Sequence, residues 1–255
     1  MFWWQTQAGD GLTVAFTNTE AGNLALHVGD DPALVLQRRR ALEEHMGVSA
    51  GSLRFMNQVH SAAVASVSGP APVAGTALQA SAARTGDTGA AGTRSADALT
   101  ADALISPDGS APLAVMVADC VPVLLAGVTG TGVVTAAAHA GRRGLLDGIL
   151  TNTVQAMLAA GAGSLRAWIG PSVCGECYEV PAAMQEEAVQ AMPELRSTTR
   201  WGTPALDLPA GARVQLESLG VDVLRLPGCT LESTDLYSHR RSSTAGRFAG
   251  LIWRH

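Results

Sequence analysis

Two imidazoles and a thiol, each closing or opening a distinctive short string, carry the chemistry open to this chain. His60 closes Asn57-Gln58-Val59-His60, Cys120 closes Ala118-Asp119-Cys120, and His139 opens His139-Ala140-Gly141-Arg142-Arg143-Gly144. One sulfur and two nitrogens are the ligands a catalytic zinc takes while keeping a fourth position for water or substrate. Cys120 and His139 would equally make a nucleophile and its base. Either chemistry requires the side chains to converge.

Spacing brings two of them together. If Val121–Ala126 and Val133–Ala138 pair antiparallel around a Gly127–Gly132 turn, Ala126 faces Val133 and the extended ladder sets Cys120 against His139. Cross-strand Cβ atoms lie roughly 4.5–5.5 Å apart, which a shared metal tolerates. A slip of one residue would turn one side chain to the other face. His60 ends a different strand, and spacing does not bring it to the pair. Asp119 would point away from Cys120 on a regular strand unless the chain bends there. It either orients a ligand His or serves as acid/base beside the metal, or else it hydrogen-bonds the strand-end backbone.

The His139–Gly144 string lies between a strand and a helix. Gly141 and Gly144 permit a tight turn and close approach of backbone to ligand. The helix start and the Arg142-Arg143 pair favour an anion such as phosphate. Ser238-His239-Arg240-Arg241 and Gly246-Arg247 form a second basic cluster, in which His239 is a candidate for supporting the centre from outside but reads more readily as a partly exposed imidazole. Cys174 and Cys177 form a single CxxC. Cys120 and Cys229 are not spaced as the second pair of a zinc ribbon, so the CxxC reads as structural.

Certain elements must position these groups. Gly11–Phe16 reads as a strand. Asp31 caps a helix with Pro32 at its first position, running to Met46 and stopped by Gly47. Leu53–Val59 looks extended and delivers His60, and Ala62–Val67 is a further strand. From Gly69 to about Ser95 the composition turns to Ala, Gly, Ser, Thr and Pro, the signature of a long surface loop. The Ala96-Asp97-Ala98-Leu99 and Ala101-Asp102-Ala103-Leu104 echo is too short for an architectural repeat. Leu113–Val117 is a strand. Leu145–Ala160 has an amphipathic helical stripe stopped by Gly161. Trp168-Ile169-Gly170-Pro171 ends a strand, Pro181–Met192 and Ala210–Leu219 are helical, and Val221–Leu226 and Phe248–Trp253 are strands. Interleaved strands and helices give an α/β or α+β class with a partly antiparallel sheet.

The chain has 255 residues, 47% of them hydrophobic, enough for a large core. Only 15% are charged, the net charge is −5, and the sole basic run is Arg38-Arg39-Arg40, which reads as a solvated helix face. A nucleic-acid partner is disfavoured. Leu113–Val128 is interrupted by Asp119 and Pro122 and is too short to span a bilayer. The N-terminus lacks a basic signal-peptide region, so a cytoplasmic location is expected and the four cysteines are not read as a disulfide framework.

Taken together, the strings resemble the YfiH-type, or laccase-domain, family. Its hallmarks appear here as Asn57-Gln58-Val59-His60; Ala118-Asp119-Cys120-Val121-Pro122; His139-Ala140-Gly141-Arg142-Arg143-Gly144; Ile169-Gly170-Pro171-Ser172-Val173 with Cys177-Tyr178-Glu179-Val180; and Cys229-Thr230 with Ser238-His239-Arg240 and Gly246-Arg247. The match keeps motif order across nearly the whole chain. It implies an α+β fold, a single-domain layered α-β-β-α sandwich with mixed sheets over residues 1–255, with the metal at the sheet end. It implies zinc, or copper, on His60, Cys120 and His139. It also implies phosphorolysis of adenosine, inosine and methylthioadenosine, with adenosine deamination.

Purine nucleosides and phosphate are then the partners. Cys120 and Asp119 are the catalytic candidates, and Asn57, Gln58, Arg143, Tyr178, Arg240 and Arg247 the substrate or phosphate candidates. One departure stands out: the family's Trp is Arg142 here, and Tyr178 or Trp201 is the candidate replacement aromatic. Three alternatives remain: a copper phenol oxidase, a Cys120/His139 hydrolase, and a non-catalytic metal or partner module, which the open three-ligand set disfavours. The oxidase is weakened by a count of only six histidines.

Overall fold

The computed structural model describes residues 1–9, 11–69, 98–130 and 132–255. The expected Ala/Gly-rich loop at 69–95 falls, beyond Gly69, outside the described residues, as does the Ala96-Asp97 half of the echo.

In chain order the elements are β1 (Phe2–Gln7), β2 (Leu12–Thr17), α1 (Pro32–Met46), β3 (Val64–Ser66), β4 (Ala103–Ser106), β5 (Leu113–Val117), β6 (Val121–Val128) and β7 (Val133–Ala140). There follow α2 (Arg142–Leu146), α3 (Ile149–Ala159), β8 (Leu165–Ile169), α4 (Ala182–Ala191), β9 (Arg196–Thr198), β10 (Pro204–Leu206), α5 (Leu208–Ser218), β11 (Asp222–Arg225) and β12 (Phe248–Arg254). A four-stranded antiparallel sheet has the order β1-β2-β12-β5, and a six-stranded mixed sheet has the order β11-β8-β6-β7-β4-β3. A small β9-β10 pair stands apart.

Strand alternation builds the layers. On β6, Val121, Val123 and Leu125 pack with α2, α3, α4 and α5, while Leu124 and Ala126 face the other sheet. On β5, Leu113, Val115 and Val117 fill the space between the sheets, and Ala114 and Met116 meet α1 residues Leu42 and Met46 on the far side. Both sheets are thus buried on two faces, so their strands read as continuous apolar runs. The result is the layered α-β-β-α sandwich that the resemblance implied, with one of the two large sheets mixed and the other antiparallel.

Local signals held where capping chemistry was explicit. Asp31 accepts from the Ala33 N–H, and α1 ends on Gly47 at φ 70°. Elsewhere the structure corrects the reading. The expected Leu145–Ala160 helix is two helices, because Gly148 takes φ 90° between α2 and α3. Leu53–Val59 is not a strand and touches its neighbours through isolated bridges at Arg54 and Asn57. β1 and β4 were not anticipated; short or partly exposed strands carry little alternation to read. Nor is the arginine run a solvated face throughout. Arg38 pairs with Asp30, and Arg39 donates to the Leu24 carbonyl while lying over Phe55, its burial lowering its pKa to about 10.

The β6–β7 hairpin forms with a register two residues from the expected one: Val128 faces Val133, Val121 faces Ala140, and Pro122 faces His139. β6 runs on through Val128, which shortens the turn. A shift of two preserves the faces, so the argument for Cys120 beside His139 survives the correction. Continued past its end, the ladder sets Cys120 against Gly141.

Candidate metal centre

His60 arrives on an irregular segment that needs external anchors. The Gln58 side chain supplies one by mimicking a strand partner: its amide nitrogen donates to the Met116 carbonyl at 2.7 Å, and its oxygen accepts from the Met116 N–H at 2.9 Å. Asn57 donates to the Ala98 carbonyl at 2.9 Å. Asp102, fully buried, supplies the rest. Its carboxylate accepts from the backbone N–H groups of Val59, His60 and Ser61 and from the Ser61 hydroxyl. His60 is held at φ 61°, a left-handed conformation that a non-glycine residue adopts only when its surroundings impose it.

The same carboxylate orients His139. Its Oδ1 lies 2.8 Å from His139 Nδ1, and the Asp102 carbonyl accepts from the His139 N–H at 2.7 Å. Burial opposes ionisation of Asp102, but hydrogen bonds from His139 and Ser61 prevail and bring its pKa to about 2. An ionised Asp102 requires a proton on Nδ1, which leaves the Nε2 lone pair for a ligand. Sequence reasoning missed Asp102, whose one signal was an acid at the start of an apolar strand-like run.

Cys120 lies in the bend between β5 and β6. Asp119, at φ 90°, makes that bend. The Thr230 hydroxyl donates to Asp119 Oδ1 at 2.6 Å, and the Arg240 N–H donates to Oδ2 at 2.7 Å. With both oxygens engaged, Asp119 is placed to fix Cys120 and Arg240. The backbone partner is Arg240 rather than the strand end, because the chain is not a strand at this point.

The trio converges. The ligand atoms of His60, Cys120 and His139 all lie within 4.8 Å of one another, Cys120 Sγ is 3.6 Å from His60 Nε2, and the imidazole centroids are 4.7 Å apart. Sulfur and nitrogen on one tetrahedral zinc would be separated by about 3.5 Å, so the donor set fits. Gly141 leaves the room: a Cβ there would come within 2.5 Å of His60 Cδ2 and 3.2 Å of Cys120 Sγ. A Cβ at Gly144 would meet the Ser61 carbonyl at 2.8 Å, so close packing explains both glycines of the string.

The electrostatics suit soft-metal binding. Burial pushes the Cys120 thiol up, but the facing His139 charge and hydrogen bonds from both histidines hold it at about 6. Burial likewise disfavours charge on His139, yet the Cys120 thiolate and the Asp102 hydrogen bond raise it to about 9. The ion-free pair is a thiolate facing an imidazolium, and a cation replaces the proton on that imidazole.

The rim carries cations and one aromatic. Arg240 lies over the Tyr178 ring at 4.5 Å and donates to the Glu179 carbonyl at 2.6 Å. Tyr178 is pushed up chiefly by burial and then by the Cys120 charge, with Arg240 and Arg142 opposing, so these groups are neighbours. Arg247, half-buried, feels Cys120 and Asp119 while donating to the Ala245 carbonyl at 2.6 Å. Arg142 is half-buried, whereas Arg143, His239 and His60 are exposed. Trp201 is 51% exposed and bonds Glu179, so Tyr178 is the aromatic beside the trio. Gln58 and Asn57, expected to meet substrate, have their amides hydrogen-bonded to backbone partners.

The family described as "Multi-copper polyphenol oxidoreductase laccase" matches residues 5–255. The chain is 44% identical over 235 residues to a Streptomyces griseus protein named purine nucleoside phosphorylase ORF3, covering 91% of this chain and 86% of that one. It is 41% identical over 234 residues to the Mycobacterium tuberculosis purine nucleoside phosphorylase Rv2149c, covering 91% and 84%. Among solved structures it resembles YlmD from Geobacillus stearothermophilus (TM-score 0.78, 27% identity, all of both chains) and Neisseria meningitidis NMB0706 (0.76, 29%, 98% of both).

Proposed function

The chain belongs to the multi-copper polyphenol oxidoreductase laccase family, the YfiH-type group, and from that premise we propose that it is a zinc-dependent purine nucleoside phosphorylase. The observation that carries this reading is the convergence of His60, Cys120 and His139 beside Tyr178 and a set of arginines. The relatives' names supply the substrate class. Adenosine, inosine and methylthioadenosine are the proposed substrates, with adenosine deamination as a second activity and a cytoplasmic setting.

In phosphorolysis a phosphate oxygen bonds to C1′ of the ribose. The C1′–N9 bond breaks, and its electron pair leaves with the base, which takes up a proton. Phosphate needs cationic anchoring, which Arg142, Arg143, Arg240 and Arg247 would supply. Tyr178 would offer a ring to the purine, with Arg240 holding that ring in place. Zinc held by His60, Cys120 and His139 would supply Lewis acidity toward substrate oxygens. Asp102 would hold the His139 tautomer throughout, and Asp119 would keep Cys120 and Arg240 in register.

The test is release of hypoxanthine from inosine with and without phosphate, repeated for His139→Ala. Phosphate-dependent release that falls about 100-fold or more in the variant supports the reading. Undiminished activity in His139→Ala would sink it. Purine release indifferent to phosphate would reassign the reaction to hydrolysis.

One observation favours a second reading: Asp102, His139 and Cys120 form a carboxylate–imidazole–thiolate chain. That is also the order of a cysteine hydrolase. Metal-free protein that stays active and is inactivated by thiol alkylation would select it. The family description raises copper and phenol oxidation as well. Blue colour on copper loading together with turnover of a phenolic substrate would select that chemistry.

A further inference from the structure

A second group of soft ligands lies outside the centre described above. Cys174 and Cys177 occupy a turn after β8, where the Cys174 carbonyl accepts from both the Cys177 and Tyr178 N–H groups, at 3.0 and 2.9 Å. Cys229 comes from the segment after β11, which bridges in parallel to Ser172 and lets the Cys174 N–H point at Cys229 Sγ, 3.4 Å away. Glu232 sits one turn beyond, its N–H donating to the Cys229 carbonyl. The three sulfurs and a Glu232 oxygen all lie within 4.8 Å of one another, and all three cysteines are free thiols.

We propose that Cys174, Cys177, Cys229 and Glu232 form a second, closed zinc site whose role is structural. Four donors in a tetrahedron around zinc, with Zn–S near 2.3 Å, are about 3.8 Å apart, so a contraction of roughly 1 Å closes this set on an ion. Three free thiols gathered with a carboxylate are a donor set that suits zinc. Cys177 and Cys229 are buried against Val173, while Glu232 is exposed and completes the shell from the solvent side. Three thiolates and a carboxylate around a divalent ion leave excess negative charge. Arg200 stands where that charge would be: it pairs with Glu232, lies 3.5 Å from Cys177 Sγ and is 4.0 Å from Glu176. With four protein ligands no position is left for substrate, which distinguishes a structural site from a catalytic one.

The site would staple two segments that serve the first centre. Cys177 precedes Tyr178, the aromatic of the rim. Cys229 precedes Thr230, whose hydroxyl holds Asp119. The Thr230 N–H donates to the Ser172 carbonyl at 3.1 Å, so the two strings already lie side by side. The ion would clamp them at the end where hydrogen bonding stops.

Metal content per chain tests this without reference to substrate. Protein purified anaerobically and equilibrated with zinc is expected to hold two zinc ions per chain by elemental analysis. His139→Ala is expected to keep one. His139→Ala combined with Cys229→Ser is expected to keep none, and Cys229→Ser alone to keep the one at the first centre while unfolding at a lower temperature. His60→Ala, at the exposed edge of the first centre, serves as a second background if His139→Ala folds poorly. Cobalt in the His139→Ala protein is expected to give a near-ultraviolet thiolate charge-transfer band that Cys177→Ser weakens. One zinc or fewer in wild type, with none left in His139→Ala, would overturn the proposal. So would a disulfide among these three cysteines in protein kept free of oxygen.

Discussion

The His60–Cys120–His139 centre and the Cys174–Cys177–Cys229–Glu232 cluster each gather their donors within 4.8 Å of one another, yet they are built differently. The first is mostly imidazole and has one exposed ligand, His60. It rests on a fully buried carboxylate, Asp102, and two of the residues shaping it, His60 and Asp119, are the only non-glycine positions with positive φ among the described residues. The second is mostly thiol and sits in ordinary turns, balanced by one surface arginine. Backbone strain and a buried orienting charge collect at the three-donor set, where a bound metal would keep a ligand position open, because an open site must be preorganised against collapse. A set of four protein donors needs no such support, since a bound ion itself would close it.

Perturbations should therefore separate the two regions, and the largest effect should come from filling the open site. Gly141→Val would put side-chain carbon where His60 and Cys120 meet. We expect it to remove one zinc equivalent and to lower nucleoside cleavage about 100-fold or more, while the cysteine cluster keeps its metal. Retention of full first-centre occupancy in this variant would show that the space is not needed. Asp102→Asn comes next. It keeps the size but removes the charge beneath His139 and upsets the acceptor pattern for three backbone N–H groups. Loss of about 10–100-fold in zinc affinity is expected, with a stability cost of roughly 1–3 kcal/mol for a disturbed buried network. A chelator competition and a denaturant titration measure the two separately.

The comparison also marks what the sequence could and could not reveal. Cys120 and His139 were legible because a hairpin relates near neighbours, and a two-residue error in register left them on the same face. α1 was legible because Asp31, Pro32 and Gly47 are local signals. His60 was not placed by spacing: its approach depends on Gln58 gripping β5 and on Asp102 gathering the loop, both long-range contacts. Asp102 itself was hidden in an apolar echo. The CxxC read as structural because its third partner, Cys229, arrives from another part of the chain through a single parallel bridge. Local chemistry and short hairpins can be read from order along the chain; convergence of distant loops cannot.

The pH response sharpens the contrast further. In metal-free protein Cys120 titrates near 6, down from its ordinary value, so its contribution to stability is present above the unfolded thiol pKa and is lost as pH falls through about 6. His139 titrates near 9, up from its ordinary value, so its contribution is present below the unfolded imidazole pKa and is lost as pH rises through about 9. The pair is mutually stabilising in the window between. Alkylation of Cys120 in zinc-stripped protein should rise with a midpoint near 6 and move upward in His139→Ala. The CxxC thiols behave oppositely: burial raises both, Cys177 to about 12. They should react slowly at neutral pH even without metal. A single alkylation midpoint for all four cysteines would erase the distinction.

The smallest effect belongs to Arg142, which stands where the resemblance led one to expect a Trp. Arg142 is half-buried at the first position of α2, and its charge reaches Tyr178. It touches neither the trio's hydrogen bonds nor the cysteine cluster among the contacts described. Arg142→Trp should leave both zinc equivalents in place. It would exchange a cation at the rim for a second aromatic beside Tyr178, favouring the purine and disfavouring phosphate. The expected result is a KM for nucleoside lowered a few-fold, on the scale of ~0.5–1.5 kcal/mol for an added aromatic pair, and a KM for phosphate raised by a similar factor. Opposite movement of the two KM values is the diagnostic. If both move together, Arg142 acts on the shape of α2 rather than on either substrate, and the phosphate anchor must be sought in Arg143, Arg240 and Arg247.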